Sequence, residues 1–137
     1  MGLKEIERKD LVKYRLKKAK NALTEVPILI ANQFYGTAMN RLYYACFYAA
    51  TALLISESHE VHTHSGVKTK LGLHFIKDNR LDKSFAKLYD QLFNLRQRGD
   101  YEDWVYINED DILPYIEPAE QFIETIENLI NNNNFNQ

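Results

Sequence analysis

Apolar side chains recur three and four residues apart along most of the chain, which is the spacing of one face of an α-helix. The first such stripe of apolar residues consists of Val12, Leu16, Ala19, Leu23 and Val26. Similar stripes lie within residues 38–53, 67–76, 81–95 and 112–130. Because such stripes are buried against one another, the pattern predicts an all-α fold, an up-down antiparallel bundle of four to five helices.

Length and composition fit a single domain. The chain has 137 residues, of which 45% are hydrophobic, with only 5 glycines and 3 prolines. These values exclude collagen-like, low-complexity and wholly disordered proteins. We expect one helical domain over residues 1–130, followed by a disordered polar tail over 131–137.

Proline and glycine indicate where two helices end. Pro27 is predicted to end the first helix, because a proline pushes the preceding residue out of the α region. The second helix is then expected over 28–56. The fourth is predicted to end near Gly99, and segment 100–108 is expected to pack onto the bundle as a loop.

Capping residues indicate where two later helices begin. Thr63 or Ser65 is expected to cap a short third helix after a polar loop. Asn108 or Asp110 is expected to open the last helix, whose acidic first turn suits the helix dipole. Pro118 should kink that last helix, because one backbone hydrogen bond is lost there.

The charge balance gives no overall preference for nucleic acid or anionic membranes. The chain carries 17 Lys and Arg against 19 Asp and Glu, so any anion site must be a local cluster. The longest apolar-rich run, 42–55, is shorter than the roughly 20 residues of a membrane span. The start lacks a signal peptide's apolar run, and Cys46 has no partner cysteine. We expect a cytoplasmic domain without membrane contact.

Residues with metal-binding or nucleophilic chemistry are present but lack a recognised motif. His59, His62 and His64 lie in or beside one polar loop, and His74 follows. Metal-site spacings such as HExxH or paired CxxC are absent, so solvated loop histidines are favoured over a metal site. Cys46 lies among apolar helix residues, where a buried thiol is expected. No metal or cofactor is predicted.

The strongest candidate for a binding site is the end of the fourth helix. Arg96, Arg98, Asp100 and Tyr101 lie within six residues there. Guanidinium groups can bind phosphate bidentately, and a tyrosine can stack on a base or donate a hydrogen bond. The alternative is an arginine–carboxylate cluster that clamps the helix end to the following loop.

A second arginine lies in the middle of the most apolar helix. Arg41 shares a helix face with Tyr44 and Tyr48. This face is either part of a ligand site or a snorkelling arginine beside half-buried tyrosines.

Four short motifs, in order along the chain, resemble the HEPN-domain proteins, in particular their small stand-alone group. The resemblance as a whole extends over roughly residues 5–130. The motifs are Arg41-Leu42-Tyr43-Tyr44-Ala45-Cys46-Phe47, Thr63-His64-Ser65-Gly66-Val67, Leu95-Arg96-Gln97-Arg98-Gly99-Asp100-Tyr101, and Ala119-Glu120-Gln121-Phe122-Ile123. The resemblance implies an antiparallel helical bundle, commonly a homodimer, that acts with a minimal nucleotidyltransferase in prokaryotic toxin–antitoxin pairs.

The resemblance also implies a possible activity, because many HEPN proteins are metal-independent ribonucleases with an R-x(4–6)-H motif. In this chain the corresponding window after Arg96 contains Tyr101 and no histidine. Tyrosine is a poor base near neutral pH. Arg96 and Tyr101 are the catalytic candidates, and His64 or His74 can replace the missing histidine only if the fold brings one close. The resemblance also implies an alternative role for Tyr101, as a residue modified by a partner nucleotidyltransferase, as a tyrosine near this motif is in some HEPN proteins.

The sequence therefore favours a non-catalytic or weakly catalytic HEPN-like module that dimerises and binds a nucleotide, RNA or a nucleotidyltransferase partner. Its predicted ligand-binding residues are Arg96, Arg98, Asp100, Tyr101, Arg41 and Tyr44. Two alternatives stay open: a ribonuclease toxin with a degenerate motif, and a purely structural interaction protein. The ligand, the partner and the role as toxin or antitoxin are not determined by the sequence.

Overall fold

The computed structural model describes residues 4–133, which form five α-helices and no strand. The helices are α1 (Glu5–Ala31), α2 (Tyr35–Ser56), α3 (His64–Leu71), α4 (Lys83–Tyr101) and α5 (Glu109–Asn132). A π-helical turn, Gly72–Ile76, continues α3. The predicted all-α bundle is confirmed. The predicted tail begins inside α5, and its last residues, 134–137, lie outside the described part of the chain.

Helix α2 is the centre of the bundle and packs against all four other helices. Its small residues allow this close approach, because alanine presents little side chain between two backbones. Its fully buried alanines are Ala38, Ala45, Ala49, Ala50 and Ala52. Helices α1 and α2 form an antiparallel pair, since only residues 32–34 join them. No helix within residues 4–133 is long and apolar enough to cross a membrane.

Helix α1 does not end at Pro27, which corrects the sequence-based boundary. It continues to Ala31, and α2 begins at Tyr35 rather than near residue 28. A proline inside a helix removes one hydrogen bond, and here the burial of Val26 and the packing of Leu29 against the core compensate for that loss. The chain reverses at Gln33, which has a positive φ of 63°.

The end of α4 also differs from the prediction. Gly99 lies inside the helix, which continues to Tyr101. A Cβ at Gly99 would lie 2.7 Å from Cγ1 of Ile107, so glycine lets the following loop approach the helix closely. Trp104 and Tyr106, expected to pack onto the bundle, are 88% and 78% exposed, because Ile107 occupies the inner side of this loop.

Two predicted caps are confirmed. The Thr63 hydroxyl accepts a hydrogen bond from the Gly66 amide at 2.9 Å and caps α3. The Asn108 amide donates to the Asp111 carboxylate at 2.8 Å, which opens α5. Helix α5 then runs through Pro118 without a break. Thr63 thereby fixes His64 as the first residue of α3, at the edge of the site described next.

Candidate functional site

Arg96 occupies a position where the pattern of α4 places an apolar residue. It follows Leu88 and Leu92 at intervals of four, so the helix directs its side chain inward, where only 4% remains exposed. Four aromatic rings surround the guanidinium. The distances from its Cζ to the ring centroids are 5.0 Å for Tyr43, 5.4 Å for Tyr44, 5.4 Å for Phe93 and 5.7 Å for Tyr101. We call Arg96 and these four rings the arginine box.

The charge of Arg96 is only weakly compensated inside the arginine box. Its nearest carboxylate is that of Asp100, 4.0 Å from Nη1, which is too far for a hydrogen bond. Its Nε is buried and has no hydrogen-bond partner. The Asp100 carboxylate instead accepts a hydrogen bond from the Asn40 amide at 2.9 Å. A buried guanidinium with an unpaired donor is better suited to binding an anion than to clamping the end of α4 to the following loop.

Arg41 reaches the arginine box through its neighbour Asn40. Its Nη2 and Nε donate to the Asn40 side-chain oxygen at 2.9 and 3.2 Å, and its guanidinium lies 5.3 Å from the Tyr44 ring. Asn40 thus links Arg41 to Asp100, a connection that sequence reasoning missed. Arg98, by contrast, is exposed and lies 3.5 Å from Glu102, so the structure does not bring it into the box.

The fold brings one histidine to the arginine box, and it is His64. Its ring contacts three of the four box rings, those of Tyr43, Tyr44 and Phe93. Its Nδ1 lies 2.6 Å from the Tyr43 hydroxyl, which lies 3.3 Å from the hydroxyl of Tyr89. Burial, followed by the nearby charge of Arg96, lowers the pKa of His64.

The two tyrosines behind His64 stay protonated at any physiological pH. Burial raises the pKa of Tyr43 to about 12 and raises the pKa of Tyr89 further. Each hydroxyl can therefore donate one hydrogen bond and accept another. The motif around Thr63 already indicated in the sequence that His64 lies at the start of a helix. That His64 lies near Arg96 depends on how α3 packs on α2 and α4, which the motif does not reveal.

An open cleft of about 260 Å³ lies beside His64, between α3 and α4. Most of the exposed lining is apolar, and Lys68 and Asp90 form an ion pair of 2.7 Å there. The lining residues are His64, Ser65, Lys68, Tyr89, Asp90, Phe93 and Asn94. The cleft has room for a small part of a ligand adjacent to the box.

The other chemically active side chains lie elsewhere. His74 stacks on His59 with ring centroids 4.1 Å apart, so His74 does not reach Arg96. Within residues 4–133 no group of three or more histidine, cysteine or acidic side chains is arranged to hold a metal ion. Cys46 is fully buried, and burial raises the pKa of its thiol, which makes it unreactive.

Comparison with known proteins connects this geometry to a family. The model of the HEPN domain matches residues 12–129, which include every residue of the arginine box. A "UPF0332 protein" of Thermotoga maritima is 33% identical over 124 residues, covering 90% of this chain and 94% of the relative. Two proteins of Methanocaldococcus jannaschii bear the name "Putative toxin". MJ0605 is 31% identical over 108 residues, which cover 79% of this chain and 80% of the relative. MJ0142 is 32% identical over 96 residues, which cover 70% of this chain and 65% of the relative.

Proposed function

The chain belongs to the HEPN-domain family, and we propose that it is a helical module of a prokaryotic toxin–antitoxin-type system that binds the phosphate of RNA or of a nucleotide through Arg96. The observation that carries this proposal is the buried Arg96 guanidinium, whose Nε has no hydrogen-bond partner. A phosphate oxygen supplies both the missing acceptor and the missing negative charge. The names of the two archaeal relatives support the toxin–antitoxin setting.

We expect a ligand to enter the arginine box past Tyr101, its exposed ring. It is the last residue of α4 and is 69% exposed, although its ring lies 5.7 Å from the Arg96 Cζ. Because the Tyr101 ring is exposed, its side chain is free to move and let a ligand reach the guanidinium. In its displaced position the phenol can stack on a base, which gives the ligand a second contact beside its phosphate.

A ribonuclease is the second candidate, and the placement of His64 favours it. The segment after Arg96 contains no histidine, but α3 brings His64 to the same rings. A neutral histidine can accept the proton of a ribose 2′-hydroxyl, whose oxygen then bonds to phosphorus and displaces the 5′-oxygen, which takes a proton from water. An arginine stabilises the negative charge that develops on the phosphate oxygens. This chemistry needs no metal ion.

One titration in EDTA tests both candidates. Labelled single-stranded RNA, its 2′-O-methyl analogue and a nucleoside without phosphate are added to the purified protein, and fluorescence anisotropy and RNA length are recorded. The proposal expects binding of both oligonucleotides and none of the nucleoside. Shortening of the RNA, but not of the 2′-O-methyl analogue, identifies a ribonuclease. No binding of either oligonucleotide contradicts RNA binding, and no binding of a labelled nucleoside monophosphate in the same assay contradicts nucleotide binding.

The partner surface of this module is the end of the bundle that carries Tyr101. Trp104, Tyr106 and Phe34 are exposed by 88%, 78% and 60% at this end. Exposed aromatic rings of this size are enriched at protein interfaces. We expect a homodimer through this end, with a nucleotidyltransferase as the other partner.

Light scattering of the wild type and of Trp104→Ser tests the dimer. We expect a dimeric wild type and a monomeric variant. A wild-type monomer, or a variant that stays dimeric, contradicts this surface.

A further inference from the structure

We propose that His64 is a second phosphate-binding residue of the arginine box, and that it takes up a proton when the ligand's phosphate binds. This inference rests on the proposed function, because it assigns a proton-linked partner to Arg96 in the same site. It goes beyond that function by making ligand affinity depend on pH. It also assigns a role to the hydrogen-bonded chain behind His64, which the binding of phosphate by Arg96 alone does not use.

The position of His64 is the first argument. His64 and Arg96 share three ring neighbours, so both groups border the same small volume. The His64 ring also contacts the ring of Phe47, with centroids 4.5 Å apart, which holds the imidazole in place. His64 also lines the open cleft between α3 and α4, so its ring is accessible to a ligand.

The hydrogen bonds behind His64 are the second argument. The Tyr43 hydroxyl, 2.6 Å from Nδ1, can donate to the neutral ring. When the ring is protonated, Nδ1 becomes a donor, and the Tyr43 hydroxyl turns to donate to the oxygen of Tyr89, 3.3 Å away. The chain of two hydroxyls thus accommodates both protonation states without moving a heavy atom. In the protonated state Nε2 donates a charged hydrogen bond toward the ligand.

The charges around His64 are the third argument. On α4 the cation of Arg96 disfavours the imidazolium, and the carboxylate of Asp90 on the same helix already pairs with Lys68 of α3. On α2 the facing groups are the protonated hydroxyl of Tyr43 and the rings of Tyr44 and Phe47. Without a ligand, therefore, burial and the charge of Arg96 both favour the neutral form of His64. A bound phosphate neutralises Arg96 and adds a negative charge, and both changes raise the pKa of His64.

The sign of the effect follows from linkage. The pKa of His64 is lowered in the free protein and is expected to be higher in the complex. At a pH between these two pKa values the complex therefore binds more protons than the free protein does. Affinity must then rise as the pH falls through that window. With one linked proton the limit is tenfold per pH unit, and we expect about a five- to tenfold gain between about pH 8 and pH 6.

The test uses a probe that does not itself titrate in this range. A 2′-O-methyl oligouridine with hydroxyl ends carries only phosphodiesters, and it cannot be cleaved by attack of a 2′-hydroxyl. Its dissociation constant is measured across the pH range for the wild type, His64→Gln and His59→Gln. His59 is a matched control, because its pKa is also lowered but its ring stacks on His74 outside the box.

We expect the wild type and His59→Gln to share the steep pH dependence, and His64→Gln to lose most of it. The pKa of His64, measured by NMR in the wild type alone, should rise on addition of the oligouridine, so the test does not depend on the mutant folding. A constant His64 pKa, or an unchanged slope in a folded His64→Gln, overturns this inference and leaves phosphate binding by Arg96 intact. Failure of the wild type to bind the probe overturns both this inference and the binding of RNA by Arg96.

Discussion

Replacement of Arg96 by methionine is expected to weaken the binding of phosphate-bearing ligands by about 10- to 100-fold without lowering the stability of the fold. The loss of affinity follows from the loss of charge-assisted hydrogen bonds, each of which contributes about 1.5–3 kcal/mol. Stability is retained because the guanidinium has only 4% exposure and no carboxylate closer than 4.0 Å. Replacing a poorly paired buried cation with an apolar side chain of similar length is often neutral or stabilising.

Arg98→Met is the matched control for this prediction. Arg98 lies two residues away on the same helix, is 57% exposed, and pairs with Glu102 at 3.5 Å. An exposed pair of this kind contributes little, so both affinity and stability should change only slightly. If Arg96 were instead a structural clamp, Arg96→Met would lower the free energy of unfolding by about 1–3 kcal/mol. Binding titrations and urea denaturation of both variants distinguish these outcomes.

Replacement of Phe122 by alanine is expected to lower the free energy of unfolding by about 3–5 kcal/mol, the largest stability change that we predict. Phe122 is 1% exposed, and its ring contacts those of Phe85 and Tyr89, with centroids 5.4 and 6.4 Å apart. Its removal leaves a cavity between α4 and α5 that the rigid helices cannot close. Because Tyr89 lies behind Tyr43 and His64, the same change should also weaken ligand binding.

Chemical denaturation measures this effect, with Tyr14→Ala as the control for loss of an aromatic ring. Tyr14 is 56% exposed on α1, so its truncation should change the free energy of unfolding by about 0.5 kcal/mol or less. Similar losses in the two variants would contradict the packing described for α4 and α5.

The helical stripes were predictable from the sequence because each depends on residues within one helix. Val67 and Phe75 are buried as their spacing predicts, and so are Ile112 and Ile126. The cap at Thr63 was also predictable, since its hydroxyl bonds to an amide only three residues away. Local spacing and local hydrogen bonds therefore carry this part of the fold.

Features that depend on contacts between helices were not predictable in the same way. The continuation of α1 through Pro27 depends on burial against the core, which outweighs the local preference of proline. The exposure of Trp104 depends on Ile107 taking the inner position beside Gly99. The meeting of His64 with the rings around Arg96 joins residues 32 positions apart in the chain. No short-range pattern encodes such a pairing.

The most direct test of the account is the NMR signal of the Arg96 Nε–H group, assigned by comparison with Arg96→Met. In the free protein this group has no hydrogen-bond partner. Addition of the 2′-O-methyl oligouridine should shift its resonance downfield and slow its exchange with water, while the Arg98 signal stays nearly unchanged. A bound oligonucleotide that leaves the Arg96 signal unmoved would contradict the assignment of Arg96 as the phosphate-binding residue.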